Sequence, residues 1–160
     1  MAKVTYSDRV LKGRIAAMTG RGRNQSTSVV YDVTIAKTPY PDRPDRTTAQ
    51  VALYNEYGTT TEEGKQHVPP RPFFSQASHK FRDNRAAREA RLKMELRDND
   101  YNPDIALRNM AEYLALEVKD SIEKFSTPPN ADSTIAKKGF DDPLVDTGLL
   151  KDSVIVVKVA

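Results

Sequence analysis

The side chains that could bind a metal ion or transfer a proton are few and scattered in this sequence. The two histidines, His67 and His79, show no zinc-ligand spacing, and the chain has no cysteine. The carboxylates of Asp141, Asp142 and Asp146 are the right type for a hard cation, but Asp-Pro and Asp-Thr-Gly sequences are typical of turns. The sequence therefore predicts no metal site and no cofactor.

Motifs of enzymes that handle phosphates or acyl groups are missing from the sequence. The chain contains neither GxxxxGK(S/T) nor GxGxxG, and no GxSxG nucleophile motif. The segment Gly20-Arg21-Gly22 is too short a match to indicate a phosphate-binding loop. We therefore expect no catalytic residues and a protein that is not an enzyme. A hydrolase with an unrecognised carboxylate site, tested by changing Asp146, is the weakest alternative.

Positive charge is concentrated in two regions. Residues 3–23 contain six basic residues and one acidic residue, and residues 80–98 contain seven basic and four acidic residues. Arg85, Arg88 and Arg91 recur at every third position, so on a helix they would lie on neighbouring parts of the same face. Such a stripe can contact nucleic-acid phosphates, whereas mixed charge is more often a solvated face or a salt-bridged subunit contact. We favour the second interpretation and keep contact with DNA as the alternative.

The bulk composition is that of one domain of ordinary size, with 160 residues, 38% hydrophobic residues and a net charge of +3. Without cysteine, disulfides and thiolate metal sites are excluded. No stretch approaches the roughly 20 apolar residues that span a bilayer, and residues 1–17 lack the apolar run of a signal peptide. We expect no membrane contact.

The elements that position these side chains begin with an ambiguous N-terminal segment. Spacing of apolar residues predicts a short helix over Ser7–Met18, with a strand starting around Val4 and Tyr6 as the competing interpretation. Strict alternation predicts a strand over Thr27–Lys37. Three prolines then predict an exposed loop over Thr38–Arg46.

The middle of the chain is predicted to alternate between helices and loops. A short helix over Thr48–Tyr57 is expected to end at Gly58 in a left-handed cap. A polar, proline-rich loop is predicted for Thr59–Arg71. Pro72 suits the first turn of a helix, so one long or broken helix is predicted from there to about Arg97.

The C-terminal third contains the clearest helix. Asn102 followed by Pro103 predicts a helix start, and apolar residues at spacings of three and four then predict the spine of the core. These residues are Leu107, Met110, Ala111, Leu114, Val118, Ile122 and Phe125. One or two helical turns are predicted for Ser133–Lys138, a structured turn for Asp141–Leu150, and a strand for Ser153–Val159. This last strand is so apolar that we expect it to be buried on both faces or paired at an interface.

Three segments together resemble a known family. Residues 51–59 read VALYNEYGT, residues 68–74 read VPPRPFF, and residues 135–139 read IAKKG before PLVDTGLLKDS at 143–153. Their order and spacing are similar to those of the tailed-phage neck, or tail-completion, proteins of the minor tail protein Z type. Each segment alone is weak, but the three in order within about 110 residues are more specific. The resemblance covers residues 48–160, whereas residues 1–47, an arm or strand region, match less clearly.

The resemblance implies a single α+β domain, with a small antiparallel sheet packed against two long helices plus short helices. It also implies a homo-oligomeric ring, a hexamer among the options, at the virion neck of a phage assembled in the bacterial cytoplasm. The implied partners are the head–tail connector and the tail terminator, with non-specific contact to genomic DNA in the channel as a further option. A tail terminator or a head-closure ring of the same particle is the nearest alternative.

The motif residues are predicted to fix the fold rather than to form a site. Arg71 lies between prolines on a stiff backbone, with Phe73 and Phe74 placed to anchor in a core. Asp146 or Thr147 is expected to cap the turn at Gly148. The full set of motif residues is Asn55, Glu56, Tyr57, Gly58, Pro70, Arg71, Pro72, Phe73, Pro143, Leu144, Asp146, Thr147, Gly148 and Leu150.

Overall fold

The computed structural model describes residues 12–19 and 27–159 and shows the predicted α+β fold. The strands are β1 (Lys12–Thr19), β2 (Thr27–Ile35), β3 (Pro39–Tyr40), β4 (Arg43–Thr47), β5 (Thr59–Thr60), β6 (Gln66–Val68) and β7 (Val154–Lys158). The helices are α1 (Thr48–Tyr57), α2 (Phe73–Asp83), α3 (Arg85–Asp98), α4 (Pro103–Lys124), α5 (Asp132–Lys138) and α6 (Leu149–Asp152).

The core lies between helix α4 and an antiparallel sheet with the strand order β1-β2-β7. Every member of the predicted α4 stripe, from Leu107 to Phe125, is buried, which confirms that spine. Val29, Tyr31, Val33 and Ile35 alternate along β2 and are buried too. Burying one apolar face of a sheet under a helix is the main stabilising term in such an arrangement.

Helix α1 is tied at its start to the segment that follows β2. Thr47 and Gln50 form a reciprocal capping box, in which the Thr47 amide donates to Gln50 Oε1 at 2.9 Å. The buried Thr48 hydroxyl donates to the carbonyl of Ala36 and accepts the amide of Thr38 at 3.1 Å. The start of α1 is therefore fixed relative to the central strand.

Helices α2 and α3 form the predicted long helix, which is broken at Asn84. Arg88 donates to the carbonyl of Arg82 at 2.9 Å and thereby provides a donor for a carbonyl at the C-terminal end of α2.

Helix α4 begins as predicted, because Asn102 Oδ1 accepts the amides of Asp104 at 3.0 Å and Ile105 at 3.4 Å.

The predicted N-terminal helix is wrong over residues 12–18, where the chain forms β1. This strand pairs with β2 along its whole length, with Gly13 opposite Val33 and Ile15 opposite Tyr31. Gly13 lowers helix propensity, and the ladder to β2 satisfies the backbone groups that a helix would otherwise pair. The competing strand start at Val4 and Tyr6 lies outside the described residues.

Two predicted loops contain short antiparallel hairpins. Strands β3 and β4 occupy most of the predicted loop Thr38–Arg46, and β5 and β6 lie within Thr59–Arg71. Pro39 and Pro44 are tolerated because these two-stranded hairpins consist only of edge strands, where a missing amide donor need not break a ladder. The exposure predicted for residues 41–46 is confirmed.

Strand β7 is confirmed, but it is not buried on both faces. Val154 is buried against the core, whereas Ile155 and Val157 remain 39% and 40% exposed on the opposite face. Strand β7 pairs with β2 and is an edge of the described sheet. The alternation of exposure therefore follows from one face meeting α4 and the other lacking a covering layer among residues 27–159.

Candidate functional site

The first two motif segments meet at a buried junction between α1 and α2. Glu56, in the last turn of α1, is only 2% exposed. Its two carboxylate oxygens accept the backbone amides of Phe74 and Ser75, each at 3.0 Å. These amides belong to the first turn of α2, where the backbone has no intrahelical acceptor and a negative charge is favourable. Glu56 therefore caps a helix from a distance in sequence.

Arg71 lies beside this junction and is held by three carbonyl oxygens. Its Nη1 donates to Asn55 Oδ1 at 3.1 Å, its Nε to the carbonyl of Pro128 at 3.1 Å and its Nη2 to that of Pro129 at 2.9 Å. Arg71 is 5% exposed, and burial lowers the pKa of its guanidinium, an effect that the charge of Asp141 opposes. The side chain joins α1, the approach to α2 and the segment after α4.

Gly58 occupies a conformation that other residues rarely adopt. Its φ is 72° and its ψ is 175°, so the helix end has a positive φ but not the left-handed cap that the sequence predicts. A Cβ atom at this position would lie 2.7 Å from the carbonyl oxygen of Val68. The chain after α1 therefore passes β6 too closely for any side chain.

Lys138 joins the two parts of the third motif segment. Its ammonium donates to the carbonyls of Asp142, at 2.7 Å, and Val145. Burial lowers the pKa of Lys138, while the nearby charges of Asp146 and Asp142 oppose this effect. Leu144 and Leu150 are buried, and α6 packs against α1, which confirms that this segment docks on the core.

The other motif residues have less uniform roles. Phe73 and Phe74 anchor in the core as predicted, whereas Tyr57 is 46% exposed. The predicted cap at Gly148 is weak, since Thr147 Oγ1 lies 3.4 Å from the amide of Leu149. The flanking residues Pro70, Pro72, Pro143 and Asp146 are exposed or half-buried.

The predicted arginine stripe is divided among different partners. Arg85 pairs with Glu89 at 2.6 Å on the exposed face of α3. Arg88 lies over the Phe81 ring, and the guanidinium of Arg91 lies 4.2 Å from the ring centroid of Tyr113. The three residues therefore do not form one continuous cationic surface. The predicted contact with DNA or with another subunit stays a prediction.

A cleft of about 230 Å³ opens where α2, α3 and α4 meet. Its apolar part is formed by Phe81, Ala87 and Tyr113, and its polar part by Lys80, Asn84, Arg88, Arg91 and Glu117. Lys80 Nζ lies 2.7 Å from Glu117 Oε2, and this hydrogen bond raises the pKa of Lys80. Arg88 and Arg91 thus supply the cationic character that Glu117 does not neutralise.

A smaller polar cluster ties the sheet to the start of α4. The Tyr31 hydroxyl donates to Asp104 Oδ1 at 2.7 Å, and Lys158 Nζ lies 2.8 Å from the same oxygen. Hydrogen bonds from Lys158 and then from Tyr31 lower the pKa of Asp104. Burial and the Asp104 carboxylate raise the pKa of Tyr31.

Sequence reasoning missed the cleft and the polar cluster because their members come from separate elements. Tyr113 and Glu117 lie four residues apart on α4, so they share one helix face, and that spacing was the available signal. Nothing in the local sequence indicates that this face meets Arg91 and Lys80.

Within residues 12–19 and 27–159, no group of three or more histidine, aspartate or glutamate side chains is arranged to hold a metal ion. Over the same residues, no helix is both long and apolar enough to cross a membrane. Comparisons of the chain with protein-family models, with curated proteins and with solved structures gave no match.

Proposed function

We propose that this chain is a structural subunit of a tailed-phage virion, a neck or tail-completion protein that joins the DNA-filled head to the tail. The family is suggested by the three motif segments, and one structural observation supports the proposal. Residues of two of these segments bind each other at a buried junction, through Glu56 with the α2 amides and Asn55 with Arg71. A motif whose members hold one another in place points to a shared fold rather than to a shared active site.

The proposed mechanism is binding without chemistry. Helices α1, α2 and α4 form a frame, and the exposed hairpins β3–β4 and β5–β6 extend from it. In a symmetric ring, such hairpins would contact the connector on one side and the tail terminator on the other. The buried charged groups of the junction, Glu56 and Arg71, already bind protein groups, so their role in this proposal is to hold the frame.

Electron microscopy of a phage lysate tests the proposal. The phage that carries this gene would receive an early stop codon and be grown in hosts with and without a suppressor. The expected result without suppression is filled heads and full-length tails lying unjoined, with joining restored by a plasmid copy of the gene. Normal infectious particles without suppression would contradict the proposed role.

The same images distinguish the proposed role from the other structural roles at the head–tail junction. Tails of uncontrolled length would indicate a tail terminator, and emptied heads would indicate a head-closure protein. A DNA-binding module is the rival from another class, and the basic residues of α3 are the structural feature that favours it. It predicts a DNA mobility shift that weakens as salt increases, whereas the neck proposal requires no affinity for free DNA.

A further inference from the structure

The connection between α3 and α4 presents an aromatic side chain at the end of a helical hairpin. Tyr101 is 73% exposed, and its backbone has a φ of 58°, following Asp100 with a φ of 52°. Positive φ is disfavoured for a bulky residue, and such conformations persist only where surrounding contacts hold them. Here the Tyr101 amide donates to the carbonyl of Leu96 at 2.6 Å. The ring is therefore displayed from a defined turn.

Three aspartates lie close to this ring in the sequence, Asp98, Asp100 and Asp104. Arg97 pairs with Asp98 at 3.1 Å and Lys158 pairs with Asp104 at 2.8 Å, so Asp100 is the carboxylate that has no ion pair among the described residues. Ile105, in the first turn of α4, is a second exposed apolar side chain, at 42%. We call residues 98–105 the acidic tip, since they combine an exposed phenol ring with carboxylates.

The cleft between α2, α3 and α4 has the complementary chemistry. Phe81, Ala87 and Tyr113 give it an apolar wall, and Arg88 and Arg91 give it positive charge. Arg91 pairs with Glu95, whose Oε1 lies 3.5 Å from Arg91 Nη2, but the Arg91 side chain is still 37% exposed. The buried Nε of Arg91 has no hydrogen-bond acceptor among the described residues. The guanidinium is therefore incompletely satisfied within its own chain.

We propose that the acidic tip of one copy of this chain docks in the cleft of a second copy. The Tyr101 ring lies against the apolar wall, and the Asp100 carboxylate pairs with Arg88 or Arg91. Tyrosine and arginine are enriched among the residues that dominate the binding energy at protein interfaces. A recessed, partly aromatic cleft suits one protruding side chain better than the backbone of a DNA duplex.

The two surfaces cannot meet within one molecule. The cleft lies at the start of α3 and the acidic tip at its end, and a helix of 14 residues separates them by roughly 20 Å. The contact is therefore head-to-tail, and repeating it from copy to copy produces a closed ring or an open filament. This inference rests on the proposed function in one respect, namely that the chain acts as an oligomer.

Sedimentation velocity of the purified full chain over a range of concentrations tests the contact. Tyr101→Ser removes the ring, and Ala87→Glu places a carboxylate in the cleft at an exposed position. We expect each to weaken self-association by at least about thirtyfold. Leu116→Ser, at another exposed apolar residue, and Ala86→Glu, beside the cleft, are the matched controls and are expected to associate like the unchanged chain.

A mixing experiment identifies the head-to-tail geometry. The Tyr101→Ser chain retains its cleft, and the Ala87→Glu chain retains its tip, so an equimolar mixture is expected to form one-to-one dimers that neither forms alone. A mixture without dimers, or an unchanged chain that stays monomeric at every concentration, overturns the proposal. Circular dichroism of each variant excludes misfolding as the cause of lost association.

A nucleic-acid occupant would give a different result. If Ala87→Glu abolished low-salt binding of a fluorescein-labelled oligothymidine and left self-association unchanged, the cleft would be a nucleic-acid site and the proposal would be wrong. Failure of this contact is distinguishable from failure of the neck role. Purified protein reports only self-association, whereas the joining of heads to tails is observed in lysates.

Discussion

Glu56 and Phe74 are joined across two helices, because Oε2 of the buried carboxylate accepts the Phe74 backbone amide at 3.0 Å. The other oxygen accepts the amide of Ser75 at the same distance. One side chain thereby satisfies two amides that the start of α2 leaves open. The end of α1 and the start of α2 are thus placed by the same residue.

Glu56→Gln is expected to lower the free energy of unfolding by about 1–3 kcal/mol. Glutamine keeps the shape but replaces one acceptor oxygen with an amide donor, which would face a backbone N–H. Urea denaturation followed by circular dichroism measures the effect. Glu63→Gln, at an exposed position in the β5–β6 turn, is the control. Equal midpoints for the two variants would show that the carboxylate does not support α2.

Arg71→Lys is expected to destabilise the chain by about 2–3 kcal/mol, because one ammonium cannot replace a planar fork that reaches three separate acceptors. At least one of the carbonyls of Pro128 and Pro129 would lose its donor. Thermal unfolding compared with Arg46→Lys, an exposed arginine, checks this. A melting temperature equal to that of the control would mean that positive charge alone suffices at this position.

Gly58→Ala is expected to cost about 1–3 kcal/mol more than Gly64→Ala. Both glycines have positive φ, at 72° and 77°, but a Cβ at Gly58 would lie 2.7 Å from a backbone oxygen, whereas nothing lies within 4 Å at Gly64. The pair separates the steric effect from the backbone preference. Chemical denaturation of both variants measures the difference in their free energies of unfolding. Similar losses of stability in the two variants would show that β6 moves away easily.

The Tyr31–Asp104–Lys158 cluster is expected to make stability depend on pH at both extremes. The pKa of Asp104 is lowered in the fold, so its contribution is present above 3.8, its ordinary value, and is lost as the pH falls through the lower folded pKa. The pKa values of Tyr31 and Lys158 are raised, so their contributions are lost as the pH rises above 10.0 and 10.5.

Melting temperatures of the unchanged chain and of Asp104→Asn across this range test the pH dependence. The difference between the two proteins is expected to be largest at neutral pH and to shrink towards both extremes, since the asparagine cannot titrate. Asp42→Asn, at an exposed position in the β3–β4 turn, is the control. A constant difference between Asp104→Asn and the unchanged chain at every pH would rule out the proposed linkage.

Local periodicity in the sequence determined the central elements of this protein. The stripe from Leu107 to Phe125 predicts α4 because a helix repeats every 3.6 residues, and the alternation along residues 27–35 predicts β2 because a strand repeats every two. Gly58 marked the end of α1, and Pro72 and Pro103 marked the starts of α2 and α4. These signals depend on residues that are near neighbours in the sequence, so they can be recognised without knowing the tertiary fold.

Only the tertiary structure decided what lies opposite each element. Residues 12–18 form a strand because β2 offers a ladder, which overrides a helix-like apolar spacing. Glu56 and Arg71 are charged residues of types that are usually exposed, and they are buried only because acceptors and donors up to 58 positions away converge on them. Burial of a charge depends on partners that no local pattern contains, and for this reason the sequence could name these residues but not their contacts.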